Sequence, residues 1–431
     1  MRPSPSGAPE PDEALRPDAH PARWRMLAIL SLAELLGMSP WFAASAVSPQ
    51  LRELWGLGTS QAAWLTAVVQ LGFVAGTLCA AVLNLADVVR SRLYFAAAAS
   101  LAALANLGLG AAGGLGVALL LRFLTGFFLA GVYPPAMKMA ATWFRSSRGL
   151  AIGTIVGALT VGKALPYLAD AIGGAYWQNV IYVTSGAAAA SAIVVGMVYR
   201  DGPYAFTRRA FSWALVGKLL RVREFRLATG GYLGHMWELY AFWTWIAAFF
   251  AASAEAASGG GAAPATEMLV KILAFGAIAV GGLGCVWGGR VADRIGYESL
   301  VIRALAASGA CALLVGFFFG KGPWLLFAVA CVWGFFVIAD SAQFSTLVTL
   351  VVPDHAVGTA LTIQTSLGFL LTMVTIQLVP LISLASGWQW AFPVLAAGPA
   401  FGMASIARLR RVRAERRAVL LSSPGGSSAS P

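Results

Sequence analysis

Apolar runs recur along nearly the whole chain, each closed by a short polar stretch. A run of about 20 apolar residues, coiled as a helix, is long enough to cross a hydrocarbon core of about 30 Å. Twelve such runs are read, over residues 24–46, 60–82, 93–112, 115–137, 149–171, 178–198, 228–253, 267–288, 299–319, 322–346, 357–383 and 389–407. The short alternating segments of a membrane barrel are not seen. The pattern predicts an all-α membrane protein with twelve transmembrane helices. The longest polar interruption covers residues 199–227 and separates six spans from six. The expected organisation is a tail over 1–23, a bundle over 24–198, a linker over 199–227, a bundle over 228–407 and a basic tail over 408–431. Both tails are expected to be disordered.

The two halves repeat one another. "ELLGMSPWFAA" (34–44) aligns with "ELYAFWTWIAA" (238–248) at an offset of 204. "LNLADVVRSR" (83–92) aligns with "GRVADRIGYE" (289–298) at 206, and "GFFLAG" (126–131) with "GFFVIA" (334–339) at 208. "RGLAIG" (148–153) aligns with "VGTALT" (357–362) at 209. Each pair is weak alone, but four in order with a slowly drifting offset point to an internal repeat, as secondary transporters carry.

Composition sharpens this picture. The chain is 59% hydrophobic and 11% charged, where a soluble domain has about 25% charged residues. The net charge of +12 would suggest nucleic acid in a soluble protein, but its distribution says otherwise. With the N-terminus placed inside, Arg52 and Lys321 are the only basic residues in external loops, and Arg122, Lys138, Lys163 and Lys271 lie within spans. All other Lys and Arg fall in tails, internal loops or adjoining helix ends. This asymmetry predicts cytoplasmic termini and a cytoplasmic (inner) membrane location. The tail "RLRRVRAERR" (408–417) is expected to rest against anionic lipid. "AASA" (43–46) resembles a signal-peptidase site, but Glu34 interrupts the preceding apolar run and the segment has a partner in the second half. Cys79, Cys285, Cys311 and Cys331 all fall in spans, without metal spacing or external pairing, and read as small core residues. Three histidines and no nucleophile–base set argue against an enzyme, and no cofactor or metal is expected.

The turn "GGRVADRIGYESL" (288–300) resembles the loop signature of the major facilitator superfamily, matching it at Gly289, Asp293, Arg294 and Gly296. Tyr297 and Glu298 stand where a basic pair is usual. The first-half copy "NLADVVRSR" (84–92) keeps Asp87, Arg90 and Arg92 but lacks both glycines. In "LRFLTGFFLAGVYPP" (121–135), Arg122 and Gly126 match the superfamily's Arg-x-x-x-Gly element, with Thr125 where Gln is frequent. The Gly-Pro-x-x-Gly-Gly signature of drug–proton antiporters is missing from span five. "GHMWELYA" and "GALTVGKALPYL" look similar to segments of bacterial carriers grouped loosely with nitrate and cyanate permeases, though the glycine-rich nitrate signature is not found. The resemblance implies alternating access, gating and assembly roles for Asp87, Arg90, Gly289, Asp293 and Arg294, and a part for Arg122 in proton coupling. It also implies that spans one, four, seven and ten line a central pathway, which would place Glu34, Arg122, Glu238 and Asp340 there.

The residues themselves supply candidates. His235, Glu238, Phe242 and Trp245 share one helix face, and the matching first-half positions are Ser31, Glu34, Met38 and Trp41. Acids inside a span are expensive and need a reason. Glu34 and Glu238, with His235, are candidates for protonation, since a carboxylate that moves between wet and dry surroundings changes its hold on a proton. A matched pair tying neighbouring helices together is the alternative. Lys163, about 20 Å into its span by helical rise, is a candidate for anion binding or for snorkelling outward. Arg122, Trp41, Trp245, Tyr240, Asp340 and Gln343 complete the expected substrate-binding set. Lys138 reads as snorkelling, and Glu267 with Lys271 as an ordinary i,i+4 surface pair. The function expected is proton-coupled movement of a small anionic solute by a monomeric carrier in a lipid bilayer. Proton-driven export of hydrophobic or cationic compounds is the alternative.

Overall fold

The computed structural model of the protein describes residues 20–145, 147–173, 176–204, 211–259 and 264–422. Those residues form helices and connecting turns, without strands. The first half contains α1 (Arg23–Ala46), α2 (Thr59–Val82), α3 (Ser91–Leu109), α4 (Leu115–Ala141), α5 (Gly149–Ile172) and α6 (Gln178–Val198). The second contains α7 (Arg223–Ser258), α8 (Thr266–Ile295), α9 (Tyr297–Phe318), α10 (Pro323–Val351), α11 (Asp354–Ser386) and α12 (Trp388–Arg416). Eleven are long and apolar enough to cross a membrane. The 36-residue α7 falls short in apolarity and not in length, because it carries His235, Glu238 and three tryptophans.

Four of these helices are interrupted along their length, two of them beside a proline. In α1 the α-helix stops at Gly37, and a 3₁₀ turn, Ser39–Phe42, follows with Pro40 at its start. In α4 the break precedes Pro134 and Pro135. In α8 and α10 the breaks fall at Val280 and Asp340.

The two halves have one plan. In the first, α2 packs on α4, α3 on α6, and α1 on α5 and α6. In the second, α8 packs on α10, α9 on α12, and α7 on α11 and α12. Advancing each helix by six positions turns the first set into the second. The halves meet along two seams, α2 with α11 and α5 with α8, and the same operation exchanges these two. That is a pseudo-twofold arrangement. Leu104 on α3, Ile193 on α6 and Leu313 on α9 are exposed on the periphery, as helices facing hydrocarbon require.

The α5–α8 seam explains the glycine run on α5. A Cβ added at Gly153 would stand 2.7 Å from the Cys285 carbonyl oxygen, and one at Gly157 2.7 Å from that of Gly282. These backbones touch because neither helix has a side chain in the way.

Two expectations are corrected. The C-terminal helix runs unbroken from Ala397 to Ser422, so residues 408–422 are helical. Its Arg and Ala residues favour helix, and Arg413 pairs with Glu298 and Arg416 with Glu224 on neighbouring helix ends. The linker also holds a short helix, Trp213–Leu219, and α7 begins at Arg223. Residues 1–19 and 423–431 of the expected tails lie outside the described residues.

Candidate functional site

Between the halves lies a cavity of about 490 Å³. Its wall runs from Trp41, Lys163 and Trp243 at mid-depth to Asn84, Gly149, Tyr297 and Gly358 at the helix ends of the face that carries both termini. On the opposite face the halves are joined by polar contacts. Tyr167 Oη donates to the Trp243 carbonyl at 3.0 Å, and Ser60 Oγ to Gln377 Oε1 at 3.1 Å. Lys271 Nζ lies 3.0 Å from Asp170 Oδ2 and 2.9 Å from Glu267 Oε1. Gln50 Nε2 adds a 3.4 Å hydrogen bond to the same aspartate.

Glu267 and Lys271 are therefore not an ordinary surface pair. Lys271 crosses from α8 to α5, where Asp170 is 3% exposed. The sequence reading missed Asp170, although an acid at the end of an apolar run was visible and calls for a partner.

The cavity floor is a plate of rings drawn from both halves. Trp41 on α1 and Phe73 on α2 lie 5.1 Å apart by centroids. Phe369 on α11 contacts Phe73 at 4.6 Å and Tyr240 at 5.3 Å. Lys163, from the middle of α5, projects into this plate. Its Nζ is 3.8 Å from the Trp41 ring centroid, 4.7 Å from that of Tyr240 and 5.5 Å from that of Trp243. It donates to Tyr240 Oη at 2.5 Å. Ring faces attract a cation strongly when both are desolvated, and this lysine is 2% exposed. Glu34 is fully buried within electrostatic reach of Lys163. Neither of its carboxylate oxygens has a hydrogen-bond partner among the described residues. Met38, one turn further along α1, lines the cavity.

The other expected residues divide. Gln343 lines the cavity with Trp41, Lys163 and Tyr240. Arg122 does not. It donates to the carbonyls of Pro40 at 2.8 Å, Leu65 at 3.2 Å and Trp41, and to Asn106 Oδ1 at 3.2 Å. Two of these carbonyls belong to the 3₁₀ turn of α1, so the guanidinium clamps that turn to α2 through Leu65 and to α3 through Asn106. Trp245 is also outside the lining. Its Nε1 donates to the Ile376 carbonyl at 2.9 Å, tying α7 to α11.

Glu238 lies inside the second bundle, accepting from Ser308 Oγ at 2.8 Å and Trp333 Nε1 at 2.6 Å. That is the helix-tying arrangement. His235 Nδ1 and Asp340 Oδ1 are 2.9 Å apart, both 1% exposed and neither in the lining. Of the gating residues, Gly289 meets Gly149 across the α5–α8 seam, and Asp293 accepts from Tyr297 Oη at 3.4 Å. Arg90 and Arg294 are exposed. The side chain of Asp87 lies outside the described residues. Phe73, Phe369 and Gln364 line the cavity but were not anticipated. They stand on α2 and α11, which the expected lining set did not include, and two of them are indistinguishable in sequence from lipid-facing apolar residues.

Comparison with known proteins agrees with this architecture. The family model described as Major Facilitator Superfamily matches residues 30–375. No curated protein matches the chain. The fold is similar to that of a bacterial homolog of the human lysosomal transporter Spinster, in an inward-facing and unoccupied conformation, with a TM-score of 0.64 and 15% identity. The alignment covers 91% of this chain and 96% of that one. Twelve long helices among the described residues, two equivalent halves with a cavity at their seam, and a family match over most of the sequence lead to one conclusion: the chain belongs to the major facilitator superfamily of membrane transporters.

Proposed function

We propose that the protein carries a small anion together with a proton across the cytoplasmic membrane by alternating access. The observation that carries this reading is Lys163 at the cavity floor. Among the described lining residues the charged side chains are Lys138 and Lys163, both cationic, and no acid lines the wall. A cation finds no acid in this wall to pair with, which counts against cation export, and an anion gains the attraction of Lys163 once Glu34 is protonated. The distribution of Lys and Arg supports cytoplasmic termini, and on that orientation the cavity faces the cytoplasm.

Glu34 supplies the coupling. In the empty carrier its carboxylate offsets the charge of Lys163. An arriving anion competes for the same cation, and protonation of Glu34 removes the competitor. Proton and anion therefore bind together, and for a monovalent anion the loaded carrier has the same charge as the empty one. Rocking of the halves about the α2–α11 and α5–α8 seams would then release both on the other side.

The test uses the full chain in proteoliposomes with labelled benzenesulfonate, a permanent anion that crosses bilayers poorly. Uptake is expected to accelerate when the outside is made acidic, and to be unaffected by a clamped membrane potential. Lys163→Gln should abolish it. Faster transport of benzylamine than of benzenesulfonate, or full activity in Lys163→Gln, would overturn the reading.

A further inference from the structure

Resting on the anion reading above, we infer that the solute is an organic acid with an apolar body rather than a small inorganic anion. Three features of the cavity lead there. The first is size. At about 490 Å³ it lies in the range that encloses drug-sized ligands, about 300–1,000 Å³. An ion of three or four atoms would touch the floor and leave most of the wall uncovered.

The second is the chemistry of the floor. A compact, strongly hydrated anion needs many polar donors to replace its water. Lys163 Nζ is surrounded mainly by ring faces, with Tyr240 Oη as its neighbour. The indole N–H groups of Trp41 and Trp243 are buried and have no acceptor among the described residues. A single carboxylate matches this small donor set, and the rings beside it suit an apolar group attached to that carboxylate.

The third is the composition of the wall between floor and mouth. Met38, Val156 and Leu159 of the first half and Met236 and Leu239 of the second are apolar, with Gln343, Gln364 and Thr365 set among them. The Gln364 Nε2 is buried without an acceptor among the described residues. The bound body thus meets a mainly apolar wall with a few amide and hydroxyl groups in it. A ring or short chain that tolerates a polar substituent fits such a wall.

The experiment measures binding to the purified full-length protein in detergent at neutral pH, by quenching of tryptophan fluorescence and by thermal shift. The probes are acetate, benzoate, 3-phenylpropionate, nitrate, benzyl alcohol and benzylamine. Affinity is expected to rise from acetate to the two aryl acids, by about fourfold for each methylene equivalent buried. Nitrate and benzyl alcohol should bind at least tenfold more weakly than benzoate. Thr365→Trp, which fills space one turn from Phe369, should bring 3-phenylpropionate down to the acetate level, and Lys163→Gln should remove binding of all three acids. Nitrate or acetate binding as tightly as the aryl acids overturns the inference while leaving Lys163 as an anion site. Benzyl alcohol equal to benzoate, or no binding by any acid, also overturns it. Preference for benzylamine overturns both this inference and the anion reading.

Discussion

Two buried cations show how little a residue's identity says about its use. Arg122 and Lys163 both lie deep in apolar spans, and both were expected to meet an anion. The donors of Arg122 go to Pro40, Trp41, Leu65 and Asn106, which leaves it a structural clamp. Lys163 has one hydroxyl and three ring faces, so it can still take a charged ligand. Arg122→Met should therefore lower the unfolding temperature in detergent. The Pro40 carbonyl keeps the Ala43 N–H as a donor, so the loss falls on the charge-assisted hydrogen bonds themselves, worth about 1.5–3 kcal/mol each. Lys163→Gln should abolish anion binding, and with Glu34→Gln beside it, so that no carboxylate is left without its counter-charge, it should cost less stability than Arg122→Met. Glu34→Gln separates coupling from binding. Anion exchange across vesicles should persist in that variant, while acceleration by an acidic exterior should vanish. An unaltered response to the pH gradient would remove Glu34 from the mechanism.

At the scale of the element, the internal repeat read from the sequence is present, but its residue-by-residue use is not symmetric. Trp41 and Trp245 hold matched positions, yet Trp41 lines the cavity and Trp245 ties α7 to α11. The cause is the 3₁₀ turn at Pro40, which rotates α1 past its break, whereas α7 runs unbroken through the matching residues. A proline is visible in a sequence, but the rotation it imposes depends on the packing around it. The glycine run of α5 was legible as a face for close approach; its partner on α8 was not, because close approach leaves no complementary signature on the other helix beyond further glycines. The same two helices carry the Asp170–Lys271 contact at the far end of their seam. Lys271→Ala removes a tie that exists while the far face is closed. A loss of about 1–2 kcal/mol shifts a two-state equilibrium about five- to thirtyfold. A cysteine placed at Asn84, on the cavity mouth, should then react more slowly with an impermeant maleimide than in the parent protein. An unchanged rate would mean that the contact does not hold the far face shut.

For the whole molecule, the number of spans and their division into halves were legible because membrane crossing demands length and apolarity, which are local properties. The direction in which the cavity opens was not, since one sequence must support both end states and carries the contacts of each. Those contacts differ at the ends of the seams. On the far face Ser60 and Gln377 bridge α2 and α11 at 3.1 Å, while towards the termini the same two helices separate to expose Thr77 and Thr362 to the cavity. Alternating access requires the first contact to break each time the far face opens. A Ser60→Cys/Gln377→Cys pair, in a chain whose four native cysteines are replaced by alanine, should be bridged by a short bis-methanethiosulfonate, which replaces the reach of the Gln377 side chain, and hold the two halves together there. Flux should then stop and return on reduction, while solute binding from the side of the termini survives. If the cross-linked protein still transported, the halves could not be rocking about this seam, and the pseudo-twofold would be a record of ancestry without a part in the transport cycle.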